Sequence, residues 1–128
     1  MPDLSSDQLT ALRAAIDRLI PADDFPSASQ AHVDRFVVAL PEGELGGDET
    51  RLLREGLDTL FGTGFHALAS EAQDAHLATL ERSPFFELLL RLANEGYYAD
   101  PANGGNAGAA SWRMVGWEPG VPATWEGR

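Results

Sequence analysis

The sequence has no cysteine and no lysine among its 128 residues, and each absence removes a class of chemistry. Without cysteine there is no thiol nucleophile, disulfide, zinc–thiolate site or iron–sulfur cluster. Without lysine there is neither a Schiff-base amine nor the lysine of a phosphate-binding P-loop, because all nine basic residues are arginine. No apolar run approaches the roughly 20 residues that a membrane-spanning helix requires, and direct membrane insertion is not expected. Basic residues are scarce as well: against 20 acids they leave a formal charge of −11. A chain so acidic is repelled by nucleic acid and by anionic membrane surfaces, so neither is an expected partner. The N-terminus, Met1-Pro2-Asp3-Leu4-Ser5-Ser6-Asp7, lacks a basic segment, a twin-arginine pair and an apolar stretch. As written it is expected in the cytoplasm, and in the periplasm if it is exported with a partner or has lost a twin-arginine leader.

What is present reads as one all-α domain of about five helices, residues 1–98, followed by an irregular extension over 99–128. A first helix is expected from Ser6 or Asp7, with Leu9, Leu12, Ile16, Leu19 and Ile20 recurring at helical spacing until Pro21. Ser27 is placed to cap a second helix carrying Ala31, Phe36, Val37 and Leu40, closed by Pro41. Asp48 or Glu49 opens a third, with Leu52, Leu53, Leu57, Leu60 and Phe61 on its apolar face and Gly62-Thr63-Gly64 at its end. Ser70-Glu71-Ala72-Gln73 fits a capping box for a fourth helix with Leu77 and Leu80. Ser83-Pro84 supplies a cap and a first-turn proline for a fifth. Phe85, Phe86, Leu88, Leu89, Leu90, Leu92 and Ala93 surround that fifth helix with apolar side chains, which predicts the central, most buried position.

The last 30 residues differ in kind. They hold 6 of 13 glycines and all three tryptophans, Trp112, Trp117 and Trp125, and carry a charge of −1 against −10 for residues 1–98. Irregular segments longer than about 15 residues are usually functional or disordered, and aromatic enrichment argues for docking. Covering the fifth helix and docking on a partner are both open to these aromatics.

The sequence offers little for catalysis. His32, His66 and His76 fall in three different segments and form no paired metal-binding motif. Asp23 and Asp24 lie between two helices, where capping of the second is the expected role; with Glu95 and Asp100 they form an acid/base set only on paper. Ser111 lacks the G-x-S-x-G context of a nucleophile elbow. Gly104-Gly105-Asn106-Ala107-Gly108 is not a dinucleotide fingerprint and follows a helix rather than a strand. No catalytic, cofactor-binding or metal-ligating residue is therefore assigned.

Tyr97-Tyr98-Ala99-Asp100-Pro101, Gly104-Gly105-Asn106, Gly108 and Trp112-Arg113-x-x-Gly116 together resemble the C-terminal signature of the gluconate 2-dehydrogenase subunit 3 family. Leu19-Ile20-Pro21-x-Asp23, Ala28, Val33 and Phe36 resemble its opening motif. The resemblance implies a small non-catalytic subunit that helps a large FAD-dependent catalytic subunit of the glucose-methanol-choline type to mature and stay assembled. That partner oxidises sugars, sugar acids or glycosides, and a cytochrome c subunit takes the electrons onward in some such complexes. Members with a twin-arginine leader also carry the large subunit across the membrane. Trp, Tyr and Arg dominate binding hot spots, so Tyr97, Tyr98, Trp112, Arg113 and Trp117 are the expected anchors. Asp100, Asn103 and Asn106 are expected to shape the intervening loop. A reading from another class is a stand-alone small enzyme or ligand-binding domain using His66 or His76 with a carboxylate.

Overall fold

The computed structural model describes residues 3–41 and 43–99. Among these residues the chain forms five α-helices, one 3-10 turn and no strand. Helix α1 runs over Ser6–Leu19, α2 over Val33–Val38, α3 over Gly47–Gly62, α4 over Ser70–Ala78 and α5 over Pro84–Tyr97, with the 3-10 turn at Phe65–Ala67. The expected all-α architecture is the observed one.

Local side-chain chemistry accounts for the starts of α1 and α5. Helix α1 starts at Ser6, one of the two expected positions, behind a capping box not foreseen there: Ser5 Oγ accepts from Gln8 N at 3.1 Å, and Gln8 Oε1 accepts from Ser5 N at 2.8 Å. At α5 the Ser83 hydroxyl accepts from Phe86 N at 3.1 Å and Pro84 occupies the first turn, as the sequence indicates. Helix α3 begins at Gly47, which places Asp48 and Glu49 in its first turn, beside the positive end of the helix dipole.

Two expected features are corrected. The second helix does not run from Ser27 to Leu40. Ser27 and Gln30 do exchange side-chain bonds at 2.8 and 3.3 Å, but they cap only a single turn. That turn closes at His32, whose φ of 63° is left-handed. Val33 N donates to Ala28 O and His32 N to Ser29 O, both at 3.0 Å, the bond pair of a Schellman ending. Helix α2 then restarts at Val33 in a new direction, with Ala28 and Val33 both fully buried around the turn. The second correction concerns Ser70 and Gln73, which form no capping box. Gln73 Nε2 instead donates to Phe65 O at 2.9 Å in the interior. The Phe65 carbonyl also accepts from Leu68 N at 3.1 Å, so the Gln73 amide adds a second, buried bond that ties α4 to the 3-10 turn.

One apolar cluster fills the space between the helices, built from Leu12, Ile16, Val33, Val37, Leu53, Leu57, Leu60, Phe65, Leu89 and Leu92 among others. Helix α1 touches every other element, so it holds the central position expected for α5; α5 packs on α1, α2 and α3 and, with seven buried residues against five in α1, is the most buried helix as expected. Even so, α5 is not buried on all sides, because Leu90 is 38% exposed. Glycine permits close approach at two crossings. A Cβ at Gly56 of α3 would overlap the Phe85 ring of α5, and one at Gly96 of α5 would lie 2.8 Å from Val33 Cγ1 of α2.

Polar ties reinforce these contacts. Arg13 Nε of α1 pairs with Asp34 of α2 at 2.9 Å, and Gln8 of α1 donates to Asp58 of α3 at 3.0 Å. Arg18 of α1 makes a forked pair with Asp74 of α4 at 2.8 and 2.9 Å. That hydrogen-bonded pairing raises the Arg18 guanidinium pKa and lowers that of the Asp74 carboxyl.

Candidate docking surface at the end of the last helix

Helix α5 delivers the expected anchors Tyr97 and Tyr98 to the edge of the body, and the structure gives the two rings opposite roles. Tyr97 is 3% exposed and ends the α5 contribution to the core. Its hydroxyl donates to Pro26 O at 2.8 Å, tying the last turn of α5 to the loop between α1 and α2. Burial raises the Tyr97 pKa, and the neighbouring Tyr98 and the Asp23 carboxylate raise it further. Tyr98, by contrast, is 52% exposed. The two rings meet edge to face, with centroids 5.5 Å apart. Tyr97 therefore positions this corner from within, and Tyr98 presents an aromatic surface outward.

The loop beneath them is stiffened by its own backbone. Asp23 Oδ1 accepts from Phe25 N at 2.8 Å, and Asp23 N donates to Phe25 O at 3.0 Å. Asp23 thus closes a turn within its loop instead of capping the following helix as expected. Along α5 the Tyr98 corner continues into an outward row of Leu90 and the half-buried Phe86, at helical spacings of eight and four. Both belong to the apolar set expected to bury α5; Leu90 is instead exposed, whereas Phe86 packs partly buried against the core. Their place on a boundary was masked because apolar residues run nearly all round α5.

On another side of α5, Arg91 lies between two acids, 3.0 Å from Glu49 and 3.5 Å from Glu95. With Glu44 and apolar Leu40, Leu45 and Leu92 they line a cleft of about 290 Å³. Glu95 is thereby engaged with an arginine rather than with Asp23.

The histidines of the enzyme reading are packed on aromatic rings. His66 stacks on Phe61, with centroids 4.5 Å apart and planes 6° from parallel, and His76 meets Phe65 at 5.7 Å. His66 Nδ1 is buried without a hydrogen-bond partner among the described residues. His32 serves the left-handed turn, with its Nδ1 3.5 Å from an Arg35 nitrogen. Among the described residues no group of three or more His, Cys, Asp or Glu is arranged to hold a metal ion, and no helix is long and apolar enough to cross a membrane.

The remaining expected anchors and loop-shaping residues, Asp100, Asn103, Asn106, Trp112, Arg113 and Trp117, lie outside the described residues, as does the rest of the extension after Ala99.

The family model described as gluconate 2-dehydrogenase subunit 3 matches residues 6–120, from the start of α1 through the Tyr97–Trp117 stretch. Comparison with curated proteins and with solved structures gave no match.

Proposed function

Since the chain belongs to the gluconate 2-dehydrogenase subunit 3 family, we propose that it is the small, non-catalytic subunit of a flavin-dependent sugar, sugar-acid or glycoside dehydrogenase complex. In this reading the large subunit, of the glucose-methanol-choline type, binds FAD and carries out the oxidation, and a cytochrome c subunit is a further candidate member. The small subunit assists maturation of the large one and stabilises the assembly. It acts in the cytoplasm, or in the periplasm if the two are exported together.

One observation carries the proposal: the family match extends from residue 6 in the helical body on to residue 120. The near-neutral aromatic segment therefore belongs to the same family unit as the helices, although its composition sets it apart from them. The chemistry-bearing side chains support the same reading. His66 and His76 pack against phenylalanine rings, Asp23 closes a turn and Glu95 faces Arg91. Tyr98 stands exposed where the body hands over to the segment holding Trp112, Arg113 and Trp117. Aromatic and arginine side chains of that kind carry most of the binding energy at protein interfaces.

The test is co-expression with candidate large flavoproteins, followed by size-exclusion chromatography with flavin absorbance. Co-elution of this chain with a flavin-bearing partner is expected. Trp112→Ala should weaken the complex by about 2 kcal/mol, roughly a 30-fold rise in Kd. Turnover of a sugar with an artificial electron acceptor by the lone chain, or tight flavin binding by it, would overturn the proposal.

A further inference from the structure

We infer that the row formed by Phe86 and Leu90 on α5 and by Tyr98 at its C-cap is the seat of this chain's own Trp112–Trp117 segment. The proposed function rests on the same segment, but this inference concerns where the segment sits before any partner arrives. Leu90 and Tyr98 are two of the three large apolar side chains that stand exposed among the described residues, at 38% and 52%. Leu90 lies one turn beyond the half-buried Phe86 on α5 and Tyr98 caps that helix beyond the exposed Asn94, so the row spans about 18 Å at the helical rise of 1.5 Å per residue.

The chain leaves α5 at the Tyr98 end of this row, and 29 residues follow Ala99. Asp100-Pro101 and Asn103-Gly104-Gly105 come first, residue types that reverse chain direction. Twelve residues separate Ala99 from Trp112, and at up to about 3.3 Å each they reach far beyond the row. The segment Trp112-Arg113-Met114-Val115-Gly116-Trp117 is apolar apart from one arginine. Glu87, exposed beside Leu90 and Phe86 on α5, offers that arginine a counter-charge on an otherwise acidic body. Tethering raises the effective concentration of such a segment into the millimolar range, which favours it over an occupant from solution. Seated there, it would cover the exposed apolar row and bring its own tryptophans to the body surface where the partner is proposed to dock.

The composition of the chain makes this directly measurable, because all three tryptophans lie beyond Ala99 and tryptophan emission reports on the extension alone. In the full chain carrying Trp125→Phe, emission from Trp112 and Trp117 should lie at shorter wavelength than free tryptophan. It should resist acrylamide quenching and stay unchanged on dilution. Leu90→Glu and, separately, Tyr98→Ser should each shift emission to the red and raise the quenching constant towards the free value, with unchanged far-ultraviolet circular dichroism. Leu68→Glu, at the remaining exposed leucine and on a different part of the body, should do neither. Solvent-exposed emission in the unsubstituted row, or protected emission that ignores both Leu90→Glu and Tyr98→Ser, would overturn the inference. So would protection that disappears on dilution, which would assign the row to a second copy. None of these readouts involves the large subunit, so they fail or succeed independently of co-elution with a flavoprotein.

Discussion

Tyr97 shows how one side chain can matter to a docking corner without offering a face to a partner. Its ring completes the interior and its hydroxyl holds the Pro26 carbonyl at 2.8 Å. Tyr97→Phe keeps the ring and removes only that bond, so a loss of about 1 kcal/mol of stability is expected from urea denaturation. Because burial raises the Tyr97 pKa, the folded state holds this proton more tightly than the unfolded chain does. The resulting stability is complete below the ordinary tyrosine pKa of about 10 and is lost as pH climbs through the raised value. Alkaline unfolding of the parent should therefore show a component that Tyr97→Phe abolishes. His32 presents a different residue-scale case, since a β-carbon at φ 63° carries backbone strain. His32→Gly is expected to be neutral or stabilising by up to about 1 kcal/mol, whereas β-branched His32→Val should destabilise. Thermal unfolding of the two variants distinguishes them.

Between elements, the close crossings are set by glycine. Alanine is the better helix former by about 1 kcal/mol, yet Gly56→Ala would drive a methyl into the Phe85 ring where α3 crosses α5. The expected outcome is a net loss of about 1–3 kcal/mol. Phe85→Leu should cost less in the Gly56→Ala background than alone, a coupling that a double-mutant cycle in urea would read. If the two changes add independently, the crossing is not set by this contact. The element scale also shows what was legible beforehand. Ser83-Pro84 and the apolar face of α3 could be read from the sequence because a cap and a stripe depend only on near neighbours. The break at His32 could not, since a histidine adopts the left-handed region here only with Ala28 and Val33 buried on either side of it. Gln73 misled for a similar reason: its spacing from Ser70 matches a capping box, but the acceptor it serves lies in another element, at Phe65. Leu90 was misplaced because composition cannot say which side of a nearly all-apolar helix meets water. Of the expected docking residues, only the tyrosine pair falls within the described structure, and there the fold divides two adjacent, chemically identical side chains into one interior and one exterior group.

At the scale of the whole molecule, the body closes its own core. Residues from all five helices and the 3-10 turn, from Ala11 to Tyr97, form one buried cluster within a single chain. A subunit whose interior were completed by its partner would have to fold together with it. A core contained within one chain fits the proposal that this subunit folds first and meets the proposed flavoprotein while that partner is still acquiring its cofactor. That ordering gives the proposed maturation role a measurable signature distinct from simple stabilisation. Large subunit made in the presence of this chain should carry more FAD per polypeptide, read as the ratio of flavin to protein absorbance, than large subunit made alone. Mixing the two proteins after separate production should restore the complex without restoring the flavin. Full recovery on late mixing would reduce the role to holding a finished enzyme together, and equal flavin content with and without the small subunit would remove the maturation role altogether. The acidic surface offers an internal check, because charged rims tune association rate while buried aromatic anchors set how long a complex lasts. Raising the salt concentration should therefore change how fast the late-mixed complex forms, while Trp112→Ala changes how quickly it falls apart.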